Sequence, residues 1–240
     1  MEPDLYRDTA EAETRHWWAG STRALLRQTM LPHLSPGGRY LDVGAGTGAT
    51  GAWMADHGSL IASDIEFLAL ELFRERHAET PLTLADARRL PFGDASFDAT
   101  LCVTVLYHQA IESPAEVVGE LARVTKPGGI VVLLEPGGRR LMRAHDRMGH
   151  GARRFSRGDL RALLEANRLD VVKATGVYSF LVPPAAVKAV VERGKAASDL
   201  AKHQDGLRGL LPALASLERK ILGRADLPFG LSVYAIGRKR

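Results

Sequence analysis

The sequence predicts one α/β domain: a Rossmann-like, seven-stranded, mostly parallel sheet flanked by helices, with an N-terminal helical lid and a helical insertion before the last strand. Three observations predict it. Short apolar strands alternate with helical stretches, the signature of a parallel sheet with crossover helices. A glycine turn, Gly44-Ala45-Gly46-Thr47-Gly48, follows the first strand. Carboxylates recur at or near strand ends: Asp42, Asp64, Asp86 and Glu135. In open parallel sheets ligands bind beyond the carboxyl ends of the strands, where strand order reverses, so these positions are the informative ones. The expected parts are a lid (1–36), a ligand-binding core (37–180), an insertion acting as a cap (181–226) and a final strand (227–240).

Residues 1–30 read as helical, with Leu25, Leu26 and Met30 as apolar markers and His16-Trp17-Trp18 in the middle. Pro32 and Ser35-Pro36-Gly37-Gly38 break that stretch before a strand at 39–43. After the glycine turn a helix carrying Ala52, Trp53 and Ala55 is expected, ended by Gly58. Residues 60–63 form the second strand, 66–77 a helix and 82–84 a short third strand. Residues 97–103 are apolar enough to be buried on both faces. Ser113, Pro114 and Glu116 announce a helix by cap, first-turn proline and capping-box spacing. Lys126-Pro127-Gly128-Gly129 stops it, and 130–134 is the fifth strand. Ser156 with Asp159 caps a further helix bearing Leu160, Leu163 and Leu164. Strands follow at 171–180 and 231–236, and between them helical patterns cover 185–200 and 207–222. A structureless loop of that length would be improbable, which is why an insertion of helices is expected.

Composition narrows the class. With 45% apolar and 25% charged residues, the chain is neither disordered nor a disulfide-stapled scaffold. Its longest apolar runs fall far short of the ~20 residues that span a bilayer. Met1-Glu2-Pro3-Asp4 lacks the basic and apolar regions of a secretory signal. The one cysteine, Cys102, has no internal disulfide partner and fits a reducing, cytoplasmic setting. Net charge is only +4, so neither nucleic acid nor membrane is an expected partner. Residues 136–176 are locally basic, with ten Arg and Lys against four Asp and Glu. That segment is either solvated helix surface or the neighbourhood of an anionic substrate.

The glycine turn alone is ambiguous. Gly44-x-Gly46-x-x-Ala49 meets the relaxed nicotinamide fingerprint, and Asp64 stands about 20 residues further on, where a ribose-binding acid is expected. Asp42 argues the other way, because a carboxylate beside a pyrophosphate is repulsive whereas beside an ammonium it is favourable. No Tyr here has Lys four residues later, which removes one common reductase arrangement.

The ordered series Leu41-Asp42-Val43-Gly44-Ala45-Gly46-Thr47-Gly48, Asp64-Ile65, Ala85-Asp86-Ala87 with Leu90-Pro91-Phe92, Ser96-Phe97-Asp98-Ala99, and Leu121-Ala122-Arg123-Val124-Thr125-Lys126-Pro127-Gly128-Gly129 resembles the class I S-adenosylmethionine (SAM)-dependent methyltransferases, the bacterial small-molecule group. The likeness spans about 39–136. It implies that the backbone of Gly44, Ala45 and Gly46 faces the methionine part of SAM, with Asp42 near its ammonium. Asp64 would hold the ribose hydroxyls, Ile65 would pack on the adenine, and Asp86 with Ala87 would meet the adenine edge. The backbone of Cys102 and Val103 would border the sulfonium, Arg23 would pair with the SAM carboxylate, and Trp17 would belong to a lid.

Methyl transfer to an N, O or C nucleophile is an in-line displacement in which the protein chiefly supplies alignment. No metal is required, and no Cys/His cluster with ligand spacing is present in the sequence. His108, a few residues past the fourth strand, is the candidate general base. Tyr107, His145 and Tyr178 are candidate acceptor contacts, as is His150; Glu135 either binds an amine acceptor or braces the loop. The expected partner is a small-molecule acceptor, and the protein is expected to be a monomer or homodimer. The rival readings are an NAD(P)-dependent oxidoreductase and a SAM-binding regulatory subunit without turnover; a ribonucleic-acid methyltransferase has only the basic 139–168 segment behind it.

Overall fold

The computed structural model of the chain describes residues 16–139, 141–142, 150–191 and 209–240. Helix α1 (Trp17–Met30) leads through a 3-10 turn (Leu31–His33) into β1 (Gly38–Val43). There follow a 3-10 turn (Ala52–Asp56), β2 (Gly58–Asp64), α2 (Phe67–Arg76), β3 (Leu82–Leu84) and β4 (Phe97–Val103). Next come α3 (Pro114–Val124), β5 (Thr125–Pro136), α4 (Arg157–Ala166), β6 (Leu169–Val177), α5 (Val182–Val191), α6 (Leu210–Leu222) and β7 (Ser232–Lys239).

The seven strands form one sheet in the order β3-β2-β1-β4-β5-β7-β6. All pairs are parallel except those of β7, which runs antiparallel to β5 and to β6. Chain order reverses between β1 and β4, and that opens the crevice beyond their carboxyl ends. Alternate residues of β5 face opposite layers. Val131 and Leu133 join Val117 and Leu121 of α3 and Leu160 and Leu164 of α4. Val132 and Leu134 join Leu25 and Leu26 of α1 and Ala215 and Leu222 of α6. The sheet is thus covered on both faces, which is why its central strands read as continuous apolar runs.

Three expectations need correction. No regular helix follows the glycine turn: only five residues form a 3-10 turn, because Gly44, Gly46 and Gly48 take left-handed φ angles and Gly51 sits against Asp42, leaving no length for an α-helix. Ser113 precedes α3, but its side chain makes no capping hydrogen bond; Pro114 and Glu116 carry that start. The fifth strand begins at Thr125, so Lys126-Pro127-Gly128-Gly129 lies within its span rather than before it. By contrast, Ser156 and Asp159 form a complete capping box. Of the expected insertion, α5 and α6 are described, and α6 lies beside α1 in the same layer. Among the described residues, no helix is long and apolar enough to cross a membrane.

Candidate functional site

The site begins with the glycine turn, which two neighbours hold in place. Ser63 O at the end of β2 accepts from Gly44 N at 2.8 Å and from Ala45 N at 3.0 Å. Asp64 Oδ2 accepts from Gly46 N at 2.8 Å, and Asp64 Oδ1 from Glu66 N at 2.9 Å. One carboxylate therefore ties the turn to the start of α2. Gly44 (φ +68°) has no room for a side chain, since an added Cβ would lie 2.2 Å from Val105 Cγ2. Gly46 (φ +56°) is the reverse case: an added Cβ would meet nothing within 4 Å. The turn is packed at Gly44 and open at Gly46.

The three acids differ in state. Asp42 is 1% exposed, its Oδ2 has no hydrogen-bond partner, and burial together with Asp64 pushes its carboxyl up to about 7. Burial raises Asp64 too, against the backbone donors that lower it. Asp86 is gripped by the Arg88 guanidinium, with Nη2 at 2.6 Å from Oδ2, and Arg88 holds it below the usual carboxylate range. Sequence reasoning missed Arg88, although a basic residue two positions from an acid was a readable signal. Next to Asp64 the apolar side chain of Ile65 stands 66% exposed. Ala87 packs against the core instead.

Beyond β4 the chain turns over the glycine loop. Thr104 takes φ +53° and donates its N–H to Leu134 O. Glu135, with zero exposure, then accepts from the N–H groups of Val105, Leu106 and Tyr107 at 2.9–3.1 Å. Of its two expected roles the hydrogen bonds show the brace. Burial pushes its carboxyl up to about 8 despite those three donors and Arg153. Cys102 is fully buried, and burial drives its thiol up. Val103 packs in the opposite layer.

His108 is half-buried, and its Nδ1 accepts from Ala110 N at 3.1 Å. Tyr107 meets that ring edge-on at 6.3 Å. His145 lies outside the described residues. Tyr178 follows the carboxyl end of β6 but packs into the α1 layer, 3% exposed, with its hydroxyl 2.8 Å from Thr22 Oγ1 and its ring edge-on to Trp17 at 5.5 Å. It holds α1 to β6 and is a core group, which corrects its place among the acceptor contacts. Arg23 donates to Ala49 O at 2.7 Å and borders a cleft of about 830 Å³ on the outer flank of the glycine loop, along with Arg27, Trp53 and Arg76. That cleft touches the loop at Thr47 and Gly48 and does not include Asp64, Ile65 or Asp86.

Residues 41–133 match the methyltransferase-domain family. A demethylmenaquinone methyltransferase of Renibacterium salmoninarum is 39% identical over 102 residues, which is 42% of each chain. The chain thus spans under half the length of the curated relatives it matches. Two solved structures superpose over nearly the whole chain. YcgJ of Bacillus subtilis has a TM-score of 0.61 at 20% identity, covering 90% of this chain and 98% of its own. Haemonchus contortus phosphoethanolamine N-methyltransferase 2, solved with SAM, has a TM-score of 0.61 at 16% identity, covering 92% of this chain and 52% of its own.

Proposed function

Because residues 41–133 belong to the methyltransferase-domain family, we propose that this chain is a class I SAM-dependent methyltransferase acting on a small molecule. The observation that carries the proposal is the open Gly46 beside the Asp64 carboxylate and the exposed Ile65. A ligand with a hydroxylated ring next to a flat apolar group fits that trio. Asp64 accepts from the hydroxyls, Ile65 covers the flat face, and the bare backbone of Gly46 admits close approach. Asp42, an orphaned buried acid, suits a cationic group, since pairing restores the charge that burial suppresses. The residues present therefore fit SAM. When bound, SAM supplies a methyl carbon already activated for displacement.

The chain's own residues then bind and orient. Asp86 with Ala87 borders the flat group, and Arg88 shares the Asp86 carboxylate. The backbone at Cys102 and Val103, kept in line by Glu135, borders the reacting end. Arg23 is the candidate for the carboxylate of SAM. Trp17, packed between Tyr178 and Phe180, anchors α1 as the base of a lid, and α5 and α6 belong to the cap. Alignment of this kind supplies up to ~7–11 kcal/mol of rate enhancement. Demethylmenaquinone is the acceptor named for the relatives, but the family match covers the cofactor half and gives no acceptor for this chain.

Calorimetry with SAM and S-adenosylhomocysteine tests the reading. Saturable binding to the full chain is expected, lost by at least about tenfold in Asp64→Ala, the usual cost of hydrogen bonds to a charged group. No binding at millimolar SAM would overturn it. Enhancement of NADH fluorescence without SAM affinity would instead favour the oxidoreductase.

A further inference from the structure

The inference rests on the cofactor reading above and concerns the acceptor. Residues 105–111, which follow β4, are fixed from two sides. Glu135 takes the N–H groups of 105–107, and Arg153 Nη1 donates to the carbonyls of Leu106 and Ile111. A second strip pairs with this one: Gln109 N donates to His150 O at 2.8 Å and Ala152 N to Tyr107 O at 2.9 Å. The pairing sets the rings of His108 and His150 side by side, 5.7 Å between centroids.

Each ring has Nδ1 engaged by a nitrogen. Ala110 N–H donates to His108 Nδ1 at 3.1 Å, and Gln109 Nε2 stands 3.2 Å from His150 Nδ1. A backbone N–H only donates, so His108 Nδ1 is an acceptor, whereas at His150 the roles follow the ring's tautomer. A neutral imidazole has one N–H and one lone pair, and with the lone pair at Nδ1 the proton resides on Nε2. A histidine set up as a base at Nε2 shows the opposite arrangement, with Nδ1–H given to a carboxylate or carbonyl. Among the described residues no carboxylate bonds either ring, and no group bonds either Nε2.

We propose that His108, with the His150 ring beside it, presents its Nε2–H to an acidic oxygen of the acceptor (a phenol, enol or carboxylic acid) and holds it as the anion. In that arrangement His108 is an orienting donor and not a general base. The acceptor's proton goes to solvent before binding. Burial and the neighbouring His150 hold His108 below its ordinary pKa, which keeps its ring neutral near pH 7.

Two measurements on the full chain decide this. The first is long-range ¹H–¹⁵N correlation on histidine-labelled protein at pH 7.5, with peaks assigned from His108→Gln and His150→Gln. It should show a lone pair on Nδ1 and a proton on Nε2 of His108. The second uses 4-nitrophenol as the probe, with S-adenosylhomocysteine present. The phenolate should bind about tenfold tighter than the phenol. His108→Gln, which keeps a terminal N–H, should retain that preference, and His108→Ala with His150→Ala should abolish it. A proton on His108 Nδ1, or equal preference in wild type and the double alanine variant, would overturn the proposal. The tautomer measurement needs no cofactor, so failure to bind S-adenosylhomocysteine would count against the cofactor reading alone.

Discussion

Asp42 shows how much one buried side chain decides. Its carboxyl is raised from an ordinary value near 3.8 to about 7 by burial and by Asp64. The folded state therefore keeps a proton that the unfolded chain has lost, across the window from about 4 to about 7. In that window stability falls as pH rises, and it levels off once both states are ionised. Asp42→Asn should reduce this slope, the remainder coming from the raised Glu135 and Asp64, which thermal melts from pH 5 to 8 would show. A cation bound at Asp42 requires the ionised form, so binding below pH 7 should release a proton. Calorimetry in buffers of different ionisation heat would report it, and affinity should weaken as pH falls from 7 to 6. Gly44 and Gly46 make a second contrast. Gly44→Ala combines a positive φ with a Cβ 2.2 Å from Val105 and should cost more than about 2 kcal/mol in denaturant titrations. Gly46→Ala meets open space and should cost only about 1–2 kcal/mol from its φ, yet weaken SAM binding markedly.

Among the elements, the turn after β4 depends on β5. Glu135 sits in β5 (Thr125–Pro136) and satisfies three N–H groups, that of Leu106 buried and those of Val105 and Tyr107 partly so. Each buried donor left unmade costs about 1–3 kcal/mol. Glu135→Ala should therefore destabilise by about 3 kcal/mol or more, with Glu135→Gln milder because one oxygen remains. Chemical denaturation of the two variants side by side checks this. Helix α6 (Leu210–Leu222) has a comparable role: Glu218 accepts from Tyr178 N and Ser179 N, which clamps the end of β6. Both braces join positions far apart in the chain, and neither partner was readable from its own neighbours.

For the molecule as a whole, the sheet order puts Asp42, Asp64 and the residues after β4 around one crevice although they span over sixty positions. A ligand there binds only the folded chain. At a hundred times its dissociation constant it should add about 2.7 kcal/mol. For a chain of this size that raises the melting temperature by roughly 5–10 °C. Thermal melts with SAM, and with NADH as comparison, measure it.

The amino-acid order alone determined the α/β class, the seven strands and the strand-end acids, because these follow from local periodicity and glycine punctuation within a few residues, while the helix expected after the glycine turn gave way to a 3-10 turn. It also marked about 39–136 as the segment carrying the resemblance to methyltransferases, and the family match covers 41–133. What only the tertiary structure decided depends on partners distant in sequence. Asp42 lost its solvent, Arg88 closed on Asp86, Tyr178 went to the core beside Thr22 and Trp17, and Glu135 became a brace. His108 belongs with these. The sequence offered it as a general base, and the N–H of Ala110 on its Nδ1 is a matter of where the folded backbone turns.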